Sequence, residues 1–287
     1  MISRIWISKS LVAAAVALLA FTVAHAQPAK KEAASASKDF APEVGQAGKD
    51  VVWVPTSLAL VNKMLDMAKA STSDYVIDLG SGDGRTVITA AKRGIKALGI
   101  EYNPEMVTLS QRAAAKEGVT ERATFMKADL FETDFSQATV ITMFLLPDIN
   151  LKLRPKILGL KPGTRIVSNT FTMGEWEADE TGAAASDEGS SYYRTALLWI
   201  VPAKVEGAWK MVNGAAQGDI TFKQEFQKFA GSINAGGAST LVTGGKLNGD
   251  QIRFSAGGAQ YMGVVDSNAI SGTVTKDGAS RAWRAAR

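Results

Sequence analysis

Cysteine is absent from the 287-residue chain, and histidine occurs once, as His25. Without cysteine there is no disulfide, no thiolate nucleophile and no thiolate metal ligand. The single histidine lies in a segment predicted below to be removed. The remaining chain therefore excludes Ser-His-Asp and Cys-His nucleophile pairs, an imidazole general base and zinc sites of the Cys/His kind. The small disulfide-stapled secreted class is excluded too, although a cysteine-free exported protein is ordinary in a bacterial periplasm. A strong charge of one sign is also lacking. The formal net charge is +4, and Arg4 and Lys9 at the N-terminus account for two of those charges, leaving +2. That balance gives no reason to infer a nucleic-acid partner.

The remaining composition is that of a globular protein, 46% hydrophobic and 21% charged, with a length that suits two domains. Residues 1–26 stand apart from the fold. Arg4 and Lys9 give a positive start, Leu11 to Val23 is an apolar run, and Ala24-His25-Ala26 is a small-x-small cleavage signal. This layout predicts a secretory signal peptide and a periplasmic or secreted protein. If uncleaved, the segment would anchor the chain in the inner membrane facing the periplasm, the only membrane association expected. The apolar run is shorter than the ~20 residues a spanning helix needs. Residues 27–50, rich in Ala, Lys, Ser and Pro, read as a flexible linker.

From Val51 to about Val201 helical and strand patterns alternate, as in a parallel α/β sheet. Pro55-Thr56-Ser57 starts a helix with Leu58, Val61, Leu65 and Ala68 on one face. Strands are expected at Tyr75 to Asp78, Ala97 to Glu101, Ala123 to Met126, Thr139 to Leu145 and Arg165 to Ser168. Helices are expected at Gly84 to Lys92 and from Asn103-Pro104 to Gly118, the latter with a capping residue followed by proline. The domain so defined spans 51–203. Residues 204–287 hold 14 of the 27 glycines and read as a separate all-β domain of short strands. Leu247-Asn248-Gly249-Asp250 and Lys276-Asp277-Gly278 are its hairpin turns. Trp209, Phe222, Phe226, Phe229, Phe254, Tyr261 and Trp283 are expected in its core and at its seam with the first domain.

The chemistry sits in Val76-Ile77-Asp78-Leu79-Gly80-Ser81-Gly82-Asp83-Gly84-Arg85. A strand that ends in an acid and breaks into Gly80-x-Gly82-x-Gly84 before a helix is a nucleotide-binding turn. Glu101 ends the next strand, where a carboxylate can accept from both ribose hydroxyls. The third glycine arrives one place early for a dinucleotide fingerprint. Asp78 decides more: it would repel a pyrophosphate but favours the ammonium and sulfonium of S-adenosylmethionine (SAM). A nicotinamide oxidoreductase is disfavoured on both grounds. In Ala128-Asp129-Leu130, after the third strand, a carboxylate can accept from an adenine amino group while a neighbouring N–H meets a ring nitrogen.

These segments resemble class I SAM-dependent methyltransferases: Val54-Pro55-Thr56, Asp78 to Arg85, Gly99 to Pro104 and Ala128 to Phe131. The likeness is closest to the seven-β-strand lysine methyltransferases of the ATP-synthase c-subunit and adenine-nucleotide-translocase type and their bacterial relatives. Phe144-Leu145-Leu146-Pro147, Arg165 to Phe171 and Trp176 fit that group as well. The resemblance covers about Val51 to Asp179 and stops before the glycine-rich end. It implies a Rossmann-like sheet with flanking helices, followed here by the small antiparallel β domain. It also implies SAM held by Asp78, Gly80, Ser81, Gly82, Glu101, Tyr102, Asp129 and Leu130. The acceptor would be a protein, with lysine as the family's residue, or a small-molecule amine.

Methyl transfer is an in-line displacement that needs positioning more than a dedicated base, so no catalytic residue and no metal is assigned. Asp83 and the Phe144 to Asn150 loop lie where an acceptor should enter, Asp83 being equally a cap for the helix after it. No Asn-Pro-Pro-Tyr acceptor motif is present, which argues against methylation of DNA adenine or glutamine. The rival is an exported scaffold that kept the fold and lost catalysis. Three acids in the cofactor register argue against decay, because they repel one another unless a cation offsets them.

Overall fold

The computed structural model describes residues 40–185, 193–213 and 216–287. The predicted signal peptide and the start of the predicted linker lie outside the described residues. Residues 40–50 are not the free linker expected. Trp53 N–H donates to Gln46 O, Gly45 N–H to Trp53 O and Gly48 N–H to Val51 O, folding the segment back on itself. An Ala47–Val52 bridge pairs its two arms. The physical reason lies downstream: the segment has a partner to pack on, the mouth of the cleft described below.

The α/β part begins with α1 (Leu58–Met67), where the Ser57 hydroxyl accepts from Leu60 N–H. Its buried face is Leu60, Val61, Met64, Leu65 and Met67. Leu58, expected on that face, is 57% exposed, because it sits on the outer side of the first turn. Then follow β1 (Tyr75–Leu79), α2 (Arg85–Lys92), β2 (Lys96–Glu101), α3 (Pro104–Lys116), β3 (Ala123–Lys127) and β4 (Val140–Met143). They continue with α4 (Pro147–Ile157), β5 (Arg165–Asn169), β6 (Glu180–Ala183) and β7 (Thr195–Ile200). In α3 the Asn103 side chain accepts from Glu105 N–H with Pro104 behind it. The strand expected to reach Leu145 stops at Met143, and the expected Phe144 to Asn150 loop is shorter, since Pro147 opens α4.

The sheet order is β3-β2-β1-β4-β5-β7-β6. The first five are parallel, and β7 runs antiparallel between β5 and β6. The order reverses between β1 and β4, so a crevice opens beyond their carboxyl ends, where ligands bind in sheets of this kind. Two apolar clusters pack the sheet, one centred on α1 and α2 and the other on α4, Trp176 and Trp199.

The C-terminal part is a closed antiparallel barrel. Its strands are β8 (Gly207–Asn213), β9 (Ala216–Glu225), β10 (Lys228–Ala235), β11 (Ala238–Asn248), β12 (Gln251–Ala256), β13 (Ala259–Asp266), β14 (Ala269–Lys276) and β15 (Ala279–Ala286). Each pairs with the next, and β15 closes onto β8. At β14–β15 the turn residues Asp277 and Gly278 have φ of 50° and 79°, as a two-residue hairpin requires. Eight strands leave an interior just wide enough to be filled by side chains. Trp209, Phe222, Phe229, Phe254, Tyr261 and Trp283 are all buried there, which makes them core. Phe226 instead serves the seam, its ring stacked on Trp176 with centroids 6.0 Å apart. Gln227 Nε2 donates to Glu177 O and Ala203 N–H to Gly249 O across the same junction.

Candidate functional site

One cleft at the carboxyl ends of β1, β2 and β4 is lined by Asp78, Gly80, Ser81, Gly82, Glu101, Tyr102, Asp129 and Leu130. It encloses about 1080 Å³ when its open mouth is counted. All eight residues singled out in the sequence therefore meet on one surface. They converge because parallel strands end at the same level and each acid sits at or just past a strand end.

Asp78 is the buried member, 6% exposed. Thr142 on β4 stands beside it in register and donates its hydroxyl to Asp78 Oδ1 at 2.6 Å. The other groups facing it are the Thr86 hydroxyl and the carboxylates of Asp83 and Glu101. Burial, followed by the repulsion from Asp83 and Glu101, pushes the Asp78 carboxyl up to about 7 against the opposing Thr142 bond. The other acids are better compensated. Glu101 is clasped by backbone: Gly82 N–H donates to its Oε2 and Asn103 N–H to its Oε1, each at 2.9 Å. Asp83 is paired with the Arg85 guanidinium at 2.6 Å, and its Oδ1 accepts weakly from Arg85 N–H at 3.3 Å. It thus serves the start of α2 rather than standing free for an acceptor.

The glycine turn brings backbone close to the cleft. Gly80, Gly82 and Gly84 all have positive φ. A Cβ on Gly82 would stand 2.7 Å from Trp53 Nε1, so this position leaves no room for a side chain. Gly80 and Ser81 donate their N–H groups to Ile100 O, tying the turn to β2.

The rim carries residues that sequence reasoning missed. Residues 46–54 run along the cleft, with Trp53 against Gly82. Lys49 Nζ lies 2.5 Å from Asp129 Oδ2 and 4.8 Å from the centre of the Tyr102 ring. The Lys49 bond, assisted by Phe131 N–H, holds the Asp129 carboxyl below its ordinary range. Met143 lines the cleft at the end of β4, next to the Phe144 named from the sequence, while Thr142 is buried and reaches the site through its bond to Asp78. No local motif marks Lys49, which reaches its partner 80 residues away.

Two features test whether SAM fits. The Ser81 hydroxyl is buried and has no hydrogen-bond partner. Asp78 is a buried carboxylate faced by hydroxyls and other acids. A ligand bearing cationic and hydroxyl-accepting groups answers both, so the residues present fit the group.

A family model for the ANTKMT methyltransferase domain matches residues 78–180, wholly within the α/β part. A protein-lysine N-methyltransferase of Saccharolobus islandicus (strain REY15A) is 48% identical over 154 residues, covering 53% of this chain and 94% of the relative. The mouse adenine nucleotide translocase lysine N-methyltransferase is 31% identical over 129 residues, 44% of this chain and 56% of that protein. Among solved structures, an RNA methyltransferase from Salinibacter ruber in complex with S-adenosyl-L-homocysteine is 42% identical, with a TM-score of 0.48. The match covers 53% of this chain and 96% of that chain.

Proposed function

We propose that this chain, which belongs to the family of ANTKMT-type SAM-dependent methyltransferases, methylates lysine side chains of a protein. The observation that carries the reading is the near-complete span of the archaeal protein-lysine methyltransferase at 48% identity. SAM held there would supply an electrophilic methyl group to a neutral amine, with the C–S electron pair staying on sulfur and the amine's proton passing to water or a carboxylate. The chain's part is to bind, orient and shield.

In this reading Asp78 faces the cationic methionine end, since a buried carboxylate gains most from a positive partner. Glu101 keeps one lone pair on each oxygen for a ribose hydroxyl, and its two backbone donors hold it in place beforehand. Asp129 accepts from the adenine amino group, with Leu130 and Tyr102 beside it. Gly80, Ser81 and Gly82 let the backbone approach the ligand, and the Ser81 hydroxyl gains a partner there.

The direct test incubates the full chain with SAM and a panel of lysine-containing proteins and peptides, followed by mass spectrometry. A methyl gain on lysine is expected. Transfer only to small amines or to RNA would overturn the lysine reading. A second result concerns Lys49, which occupies the carboxylate that adenine would need. Lys49→Ala is expected to strengthen SAM binding severalfold in a calorimetric titration. Weaker binding would show instead that Lys49 closes over the bound cofactor.

A further inference from the structure

Beside the cleft, three aromatic rings from three separate segments converge. Phe144 follows β4, Phe171 follows β5 and Tyr193 precedes β7. The Phe144 and Phe171 rings are stacked at 5.9 Å, Phe144 meets Tyr193 edge-on at 5.0 Å, and Phe171 lies 5.9 Å from Tyr193. All three are only half-buried and none belongs to an apolar core cluster. Phe144 is also a wall of the cofactor cleft, so the aromatic group opens directly onto it.

The segment that carries Phe171 is held in a costly conformation. Thr170 has φ of 63°, in the left-handed region that a β-branched residue rarely enters. Phe171 N–H donates back to Asn169 O at 2.7 Å, closing a three-residue turn of a strained kind. The surroundings impose it. Ser168 Oγ donates to Phe171 O at 2.8 Å, Asn150 Nδ2 to Thr172 O at 3.1 Å, and Arg154 to Met173 O at 2.8 Å. Thr170 N–H is tied to Thr195 O at 2.7 Å, which links the turn to the strand following Tyr193. Strain fixed from several sides at a cleft edge, serving rings that the core does not use, points to a ligand.

We infer that Phe144, Phe171 and Tyr193 together form the aromatic wall of the slot that receives the acceptor's side chain, their outward surfaces lying along an alkyl stem that ends in a cationic nitrogen. The proposal rests on the lysine reading for the identity of the acceptor but not for the binding chemistry. Aromatic faces attract ammonium groups, and methylation keeps the charge while shedding hydration. The slot therefore retains a partly methylated amine near the cleft and favours successive transfers. Phe171 is a positioning residue here: its ring has no proton to give or take.

The test has two arms on the full chain. In the first, a peptide with one trimethyllysine and the same peptide with norleucine are titrated by calorimetry. The trimethyllysine peptide is expected to bind about tenfold tighter. Phe171→Leu, which keeps apolar volume but loses the ring, should abolish that preference, and Phe171→Trp should keep it. In the second arm, methyl transfer to a lysine peptide should show KM raised about tenfold in Phe171→Leu with kcat and SAM affinity little changed. Unchanged SAM affinity also reports that the variant has folded. Equal binding of the two peptides, or a Phe171→Leu variant that behaves as wild type in both arms, would overturn the slot. If the preference for trimethyllysine holds while no lysine is methylated, the slot stands and the lysine reading falls. If lysine is methylated and KM does not respond to Phe171→Leu, the reading stands and the slot falls.

Discussion

Asp78→Asn is expected to weaken SAM binding by about a hundredfold at neutral to alkaline pH while raising the melting temperature of the ligand-free chain. Both effects follow from one carboxylate. Removing one partner of a buried charge pair costs on the order of 2–5 kcal/mol of affinity, and the amide keeps the size while losing the charge. In the ligand-free protein the same charge is a burden. Its carboxyl is pushed up to about 7 from an ordinary value of 3.8, chiefly by burial. The folded chain therefore holds a proton that the unfolded chain has already lost across that window. Ligand-free stability falls as pH rises through the window and is level above it, by roughly 4 kcal/mol in total. The asparagine variant should lack this slope. SAM affinity of the wild type should fall about tenfold per pH unit below the folded value, since a proton must leave for the cation to pair. Calorimetry from acidic to alkaline pH, with parallel thermal melts, reads all of this. An asparagine variant that binds SAM normally would place the cationic end of the ligand elsewhere.

Glu101→Ala should lower SAM affinity by a similar factor, and here the ligand-free chain should lose stability rather than gain it. Hydrogen bonds to a charged acceptor are worth about 1.5–3 kcal/mol each, and the substitution removes those offered to the two ribose hydroxyls. It also strands the N–H groups of Gly82 and Asn103, which the carboxylate clasps. The glycine turn and the start of α3 both rest on that clasp, so the melting temperature should drop. Glu101→Gln should fall between wild type and alanine, because one oxygen can still accept while the amide nitrogen opposes an N–H donor. The opposite signs of the Asp78 and Glu101 effects on the ligand-free chain form the sharpest check. If both variants shifted stability in the same direction, the electrostatic account of the cleft would be wrong.

The parts of this site that were readable from the chain are the parts built locally. The Gly80-x-Gly82-x-Gly84 turn announces itself by glycines at the positive-φ positions it needs, and Asp78, Glu101 and Asp129 each stand at or just past the end of a strand with its own pattern. Asn103-Pro104 marks α3 by a cap that lies within three residues of its partner. Side chains that depend on distant partners were read less well. Leu58 fits a helical stripe but turns outward, and Lys49 carries no local signal because its partner Asp129 lies 80 residues on.

By itself the sequence determined the alternation of elements, the three acids in cofactor register and the exclusion of cysteine chemistry. Only the tertiary structure decided that residues 40–50 fold back along the cleft, that Lys49 sits on Asp129, and that the glycine-rich end closes into a barrel through β15 and β8. It also brought Phe144, Phe171 and Tyr193 together from three segments. The reason is one of range. Capping, turn conformation and periodicity act over a few residues and leave a pattern in the chain. Ion pairs, ring contacts and barrel closure join residues tens of positions apart, whose meeting is set by how strands are ordered and packed.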